Sequence, residues 1–172
     1  MTEVTGIGEI NPNALVCEYA FDPCGYSMNG IDGDRYTTIH VTPEDGFSYA
    51  SYECVGSVYD DRDDIVGILK KVVQVFRPGM MSASITCASS NGDIWTRIGK
   101  AVEILGMKRR SCIVDEFPAA GTVVFQTFTS TENRGIVDAW GNGVSWDYKV
   151  GIKMKNFIEV EEYWKMSYVD TL

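Results

Sequence analysis

The sequence predicts an α+β fold: a mainly antiparallel sheet with helices on one face. Two observations predict it. Short β-branched and aromatic runs recur between turn signals, while the hydrophobic period changes to that of a helix in only two places. The order of elements, strands in succession with a helix interposed twice, is that of strands sharing one sheet and helices gathered on one side of it.

The elements follow in order. Residues 15–21 read as a strand. Pro23 breaks it, and extended structure resumes over 25–30. "IDGD" (31–34) reads as a turn with Asp32-Gly33 as its tight pair. Residues 36–42 form the return strand, and 47–55 alternate well enough for the next. Then Ile65, Ile68, Leu69, Val72, Val73 and Phe76 recur at helical spacing. "DDRDD" places acidic residues at that helix's N-terminal end, where the dipole favours them, and Pro78-Gly79 stops it. Residues 81–88 read as a strand. Residues 93–105 read as a helix with Ile94, Ile98, Ala101, Val102 and Leu105 on one stripe. Strands over 111–117 and 122–128 complete the pattern. From 130 to 172 the pattern assigns no structure.

Composition narrows the function. The chain has 172 residues, 45% hydrophobic, a length and content that suit one domain with a core. Its formal net charge of −9 argues against nucleic acid or an anionic membrane as partner and suits a cationic ligand. No apolar run approaches a membrane span, and the N-terminus lacks a signal-peptide pattern. Five irregularly spaced cysteines favour reduced thiols and a cytoplasmic protein. A single histidine and the absence of a C-x-x-C pair leave no zinc ligand set.

Residues 19–53 concentrate the chemistry. With a two-residue turn at Asp32-Gly33, Ser27 faces Thr38 and Gly25 faces His40. A loop two residues longer puts Ser27 directly opposite His40. Either way Ser27 and His40 share one sheet face, because side chains alternate with period two. Phe21 has the parity of Ser27, and Glu44 that of His40. Tyr26, Met28, Ile39 and Val41 take the opposite, packing face. One face thus gathers a ring for stacking, a hydroxyl, an imidazole and a carboxylate able to accept hydrogen bonds from a diol. A Cys24/His40 thiol nucleophile is the alternative, with Cys24 on the wrong face by the same parity. Taken singly, a strand histidine is more often structural, Phe21 reads as core and Glu44 as a loop carboxylate. The constellation by itself marks a candidate site and no more.

The wording of the segment adds to this. "FDPCGYSMNG", then "TIHVTPE" and "FSYASYE", closely resembles the eukaryotic pyruvoyl-dependent S-adenosylmethionine decarboxylases of polyamine and spermidine synthesis. The spacing is similar to plant and trypanosomatid members. Weaker similarity continues through "ILKKVVQVFRPG", "GMKRRSC" and "VVFQTF", so the resemblance covers roughly residues 6–128. It implies a four-layer α/β-β/α sandwich of two similar halves, of which this chain supplies about one. It divides the chain into a decarboxylase-like part, 1–129, and a C-terminal extension, 130–172.

The resemblance also implies roles. Phe21 corresponds to the residue that stacks on the adenine of S-adenosylmethionine, and Glu44 to the carboxylate that binds its ribose. Ser27 and His40 correspond to the pair that assists self-cleavage of the precursor. Glu53 corresponds to an acidic residue of a buried charged cluster that binds or replaces putrescine. The family's electron sink is a pyruvoyl group made from an internal serine after glutamate. This sequence has no Glu-Ser dipeptide, nor the family's proton-donor cysteine in a "TCGTT"-like context. The expected reading is therefore the C-terminal part of a decarboxylase, inactive alone. Its partner would be the missing N-terminal half, in a homo- or hetero-oligomer. A non-catalytic paralogue that activates the true enzyme by dimerising with it is the alternative.

Overall fold

The computed structural model describes residues 2–44, 48–56, 65–87, 94–117, 121–131 and 149–156. A short helix α1 (Thr2–Thr5) and a 3₁₀ turn (Ile7–Glu9) lead into four strands, β1 (Leu15–Ala20), β2 (Tyr26–Asp32), β3 (Arg35–Thr42) and β4 (Tyr49–Gly56). Helix α2 (Ile65–Phe76), β5 (Met80–Cys87), α3 (Ile94–Glu103), β6 (Met107–Phe117), β7 (Gly121–Ser130) and β8 (Lys149–Asn156) follow. All eight strands form one sheet in the order β1-β2-β3-β4-β8-β5-β7-β6. Every pairing is antiparallel except those of β8, which runs parallel to both β4 and β5.

The alternation of each strand decides what the sheet buries. Tyr26 and Met28 of β2, Ile39 of β3, Ala50 and Tyr52 of β4, and Met81, Ala83 and Ile85 of β5 are all buried on one face. Over them lie the apolar stripes of α2 (Leu69, Val72, Val73, Phe76) and α3 (Ile98, Ala101, Val102), which join the same core cluster. Both helices are amphipathic because their apolar residues recur at three and four, so each can bury one stripe and leave the rest to water. Arg77 ends α2 with a left-handed φ of 44° while its N–H still donates to the Val73 carbonyl at 2.8 Å, and Pro78 cannot continue the turn. After α3, Gly106 takes φ 79° and its carbonyl accepts from both the N–H and the hydroxyl of Thr131, tying the helix end to the end of β7.

Three local features differ from the sequence reading. The stretch after Pro23 does not prolong β1: the chain reverses and β2 pairs back on β1, with Tyr19 opposite Ser27. Gly25 at φ 118° makes the reversal, and the Phe21 N–H donates to its carbonyl at 3.0 Å. The β2–β3 turn is Gly33-Asp34, one residue beyond the expected pair, because Asp32 already pairs with Arg35. Gly33, at φ 62°, then occupies the first turn position, where a two-residue hairpin needs a positive φ. Finally, Lys149–Asn156 of the segment without assigned structure form β8 near the middle of the sheet.

An N-terminal clamp joins α1 to the sheet. The Thr2 N–H donates to Glu18 Oε2 at 3.0 Å, the Thr2 hydroxyl donates to the same oxygen, and the Tyr26 hydroxyl reaches it at 3.0 Å. Hydrogen bonds from Thr2 first, and from Tyr26 after them, lower the Glu18 pKa from 4.5 to about 2. A carboxylate whose folded pKa is depressed adds stability above its unfolded value and loses it as pH falls through the folded value. Thermal stability should therefore drop between pH 4.5 and about 2. In Glu18→Gln that part of the pH dependence should be absent, as read by circular-dichroism melts across the range.

Candidate functional site on the open sheet face

The sheet face away from the helices carries the chemistry. Ser27 on β2 and His40 on β3 are direct register partners, and Ser27 Oγ lies 3.0 Å from His40 Nδ1. The hydroxyl can donate to that nitrogen or accept from it, depending on the imidazole tautomer. The contact follows from the Gly33-Asp34 turn, which sets the register that makes the two residues opposite rather than diagonal.

Neighbouring positions extend the face. Ser51 of β4 is the register partner of His40 on its other side, so the imidazole stands between two serines. Asn29 and Thr38 pair in the next row, and the Tyr36 hydroxyl donates to Asn29 Oδ1 at 2.8 Å. Glu53 is opposite Thr38. It is exposed.

Phe21 and Glu44 sit just beyond the strand ends. Phe21 is 51% exposed and meets Tyr19 edge to face, with ring centroids 4.9 Å apart. That leaves much of the ring available for stacking. Glu44 is exposed two residues after β3, and its backbone N–H donates to the hydroxyl of buried Ser48 at 3.4 Å. Cys24 and Phe21 both line a cavity of about 380 Å³ at the β1–β2 reversal, together with Ile7, Tyr26, Val41 and Phe76; His40 is not among its lining residues. Among the described residues no group of three or more His, Cys, Asp or Glu side chains is arranged to hold a metal ion.

Sequence reasoning missed Ser51 and Tyr19. Both were reachable by carrying the parity argument one strand further on each side. The Thr2–Glu18–Tyr26 clamp had no such signal, since its partners are 16 and 24 positions from Thr2.

A family model for adenosylmethionine decarboxylase matches residues 1–129. The chain belongs to that family. S-adenosylmethionine decarboxylase proenzyme 4 of Arabidopsis thaliana is 53% identical over 133 residues, covering 75% of this chain and 38% of the relative. The S-adenosylmethionine decarboxylase proenzyme of Oryza sativa subsp. japonica is 40% identical over 134 residues, 77% of this chain and 33% of the relative. The chain thus spans well under half the length of these plant decarboxylase proenzymes. The crystal structure of the Trypanosoma brucei AdoMetDC-delta26 monomer superposes with a TM-score of 0.52 at 19% identity, covering 76% of this chain and 52% of that one. At that identity the likeness establishes the fold: an α+β sheet with helices on one face, about one half of the decarboxylase sandwich.

Proposed function

We propose that this chain supplies one wall of an S-adenosylmethionine decarboxylase site, in an enzyme that makes decarboxylated S-adenosylmethionine for polyamine synthesis in the cytoplasm. The single observation that carries the reading is the Ser27–His40 hydrogen bond on an exposed sheet face, with Phe21 just past the end of neighbouring β1 and Glu44 two residues past β3. The adenine would stack on Phe21 and the ribose hydroxyls would donate to Glu44. Ser27 and His40 would serve the maturation of the precursor, the hydroxyl by hydrogen bonding and the imidazole by taking a proton. Glu53, on the same face, would meet a diamine such as putrescine or a cationic side chain in its place.

The pyruvoyl group supplies the electron sink that decarboxylation requires. The residues present suit a place beside it: a hydroxyl and an imidazole, already hydrogen-bonded, lie on an open face that a second sheet could cover. They do not include its source, since no serine here follows a glutamate. The group would come from the part of the family's chain that these residues do not match. A non-catalytic activator is the second reading. The intact Ser27–His40 contact favours the first, because an activator has no chemical need of it.

The roles are tested by separating binding from maturation in the enzyme assembled with the remaining part of the family's chain. Phe21→Ala removes a stacking surface, a loss of about 1–3 kcal/mol by analogy with base–aromatic stacking. Glu44→Gln gives up a charge-assisted hydrogen bond, about 1–2 kcal/mol. Each should raise KM by roughly one to two orders of magnitude and leave precursor cleavage on a gel unchanged. Blocked cleavage in Phe21→Ala would refute the assignment.

A further inference from the structure

Strand β8 sits where two parts of the sheet would otherwise come apart. Among the described residues β4 and β5 meet only through it, so without β8 the sheet divides into β1-β2-β3-β4 and β5-β7-β6. Its residues from Lys149 to Asn156 pair with β4, and those from Lys149 to Lys155 pair with β5. Taking it away leaves a gap of two strand spacings, about 10 Å. Both banks of that gap then present unpaired N–H and C=O groups, which cost free energy wherever water does not reach them.

The gap is also chemically specific. Val150, Ile152 and Met154 hold the register positions between Ala50 and Met81, between Tyr52 and Ala83, and between Cys54 and Ile85, all residues of the helix-side core or packed against it. Gly151 lies in register between Ser51 and Ser82, and Lys153 between Glu53 and Ser84. Opposite charges at neighbouring strand positions favour that register. The banks therefore suit an extended peptide that runs parallel to both, with apolar residues at alternate positions and a cation beside Glu53.

We propose that this gap is a peptide-binding slot, that residues 149–156 fill it as a tethered ligand, and that it accepts the same strand from outside the chain. Two observations separate the slot from its filler. Strands β4 and β5 lie within residues 1–129, the part that matches the family model, and β8 lies beyond them. Residues 131–148 stand between β7 and β8, and a connection of that length holds its strand in place far less than a two-residue hairpin turn does. Main-chain pairing supplies affinity and alternate side chains supply specificity, as when an extended peptide adds to a sheet edge. Here both edges of the peptide are paired. The proposal does not rest on the decarboxylase reading, since it uses only sheet order and register.

The probe is a fluorescein-labelled peptide KVGIKMKN, the sequence of residues 149–156, read by fluorescence anisotropy against the full 172-residue chain. In the unaltered chain the slot is filled, and uptake should be slight. Ile152→Pro removes a ladder N–H from a central strand and should raise peptide affinity about tenfold or more over the unaltered chain. Lys153→Glu sets a like charge beside Glu53 and should raise it about threefold. A peptide of the same composition in scrambled order should not compete. Circular-dichroism melts give a second readout: the melting temperature should fall in both variants and rise again with excess peptide. Equal uptake by the unaltered chain and the variants, or equal competition by the scrambled peptide, would overturn the proposal. So would variants that melt like the unaltered chain and take up no peptide. If Ile152→Pro does not fold, Lys153→Glu decides: a folded Lys153→Glu chain without uptake overturns the proposal, and so do two unfolded variants that the peptide does not restore.

Discussion

S-adenosylmethionine labelled in its carboxyl group should release no carbon dioxide above background when mixed with the 172-residue chain alone. The carbanion left by loss of carbon dioxide needs an electron sink. In the proposed reading the sink comes from a serine that follows a glutamate, and this sequence contains no such pair. Binding through Phe21 and Glu44 lowers the energy of bound substrate and does nothing for that carbanion, so affinity alone yields no turnover. Joined to the pyruvoyl-bearing part, the same residues should support release. Turnover by the isolated chain without added protein or cofactor would contradict the proposed division of labour.

The second large effect concerns His40. In the joined precursor, His40→Ala should slow self-cleavage by about 10²–10⁴-fold, the usual contribution of a positioned general base. Ser27 alone cannot replace it: a hydroxyl hydrogen-bonds an intermediate but is a poor proton acceptor near neutral pH. The readout is the ratio of precursor to cleaved chains on a gel over time. A precursor that matures at the normal rate with alanine at position 40 would remove His40 from the maturation chemistry.

How much of this was legible in the sequence depends on which physical signal each element carries. The site pair was legible because period-two alternation survives an even shift of register: moving the turn from Asp32-Gly33 to Gly33-Asp34 changes Ser27's partner from Thr38 to His40 without changing its face. Helices α2 and α3 were legible because their apolar residues recur at three and four over three turns. The reversal after Pro23 was not, since a broken strand that continues and one that turns back have the same local pattern. Only the φ of 118° at Gly25 and the pairing of β2 on β1 tell them apart.

Strand β8 was the larger miss. "KVGIKMKN" alternates weakly, and lysines and a glycine in it argue against a central strand. Its place between β4 and β5 depends on parallel pairing with residues about a hundred and about seventy positions earlier, a non-local choice that no window of sequence contains. Phe21 and Glu44 stand between the two cases. Their parity was readable, but both lie past the last paired residue, next to Pro23 and Pro43, where alternation no longer fixes direction. Glu53 was singled out by the resemblance alone; the pairing of β4 on β3 puts it on the face of His40.

The central claim is that the open face, and not the helix side, is the wall that holds the substrate. It is tested most directly by the structure of the assembled protein with a carboxyl-blocked analogue of S-adenosylmethionine. The account predicts the adenine stacked on the Phe21 ring, the ribose hydroxyls within hydrogen-bond distance of Glu44, and the blocked carboxyl end directed toward Ser27 and His40. An analogue seated instead in the cavity between Cys24 and Phe76, with Glu44 and His40 out of reach, would contradict it.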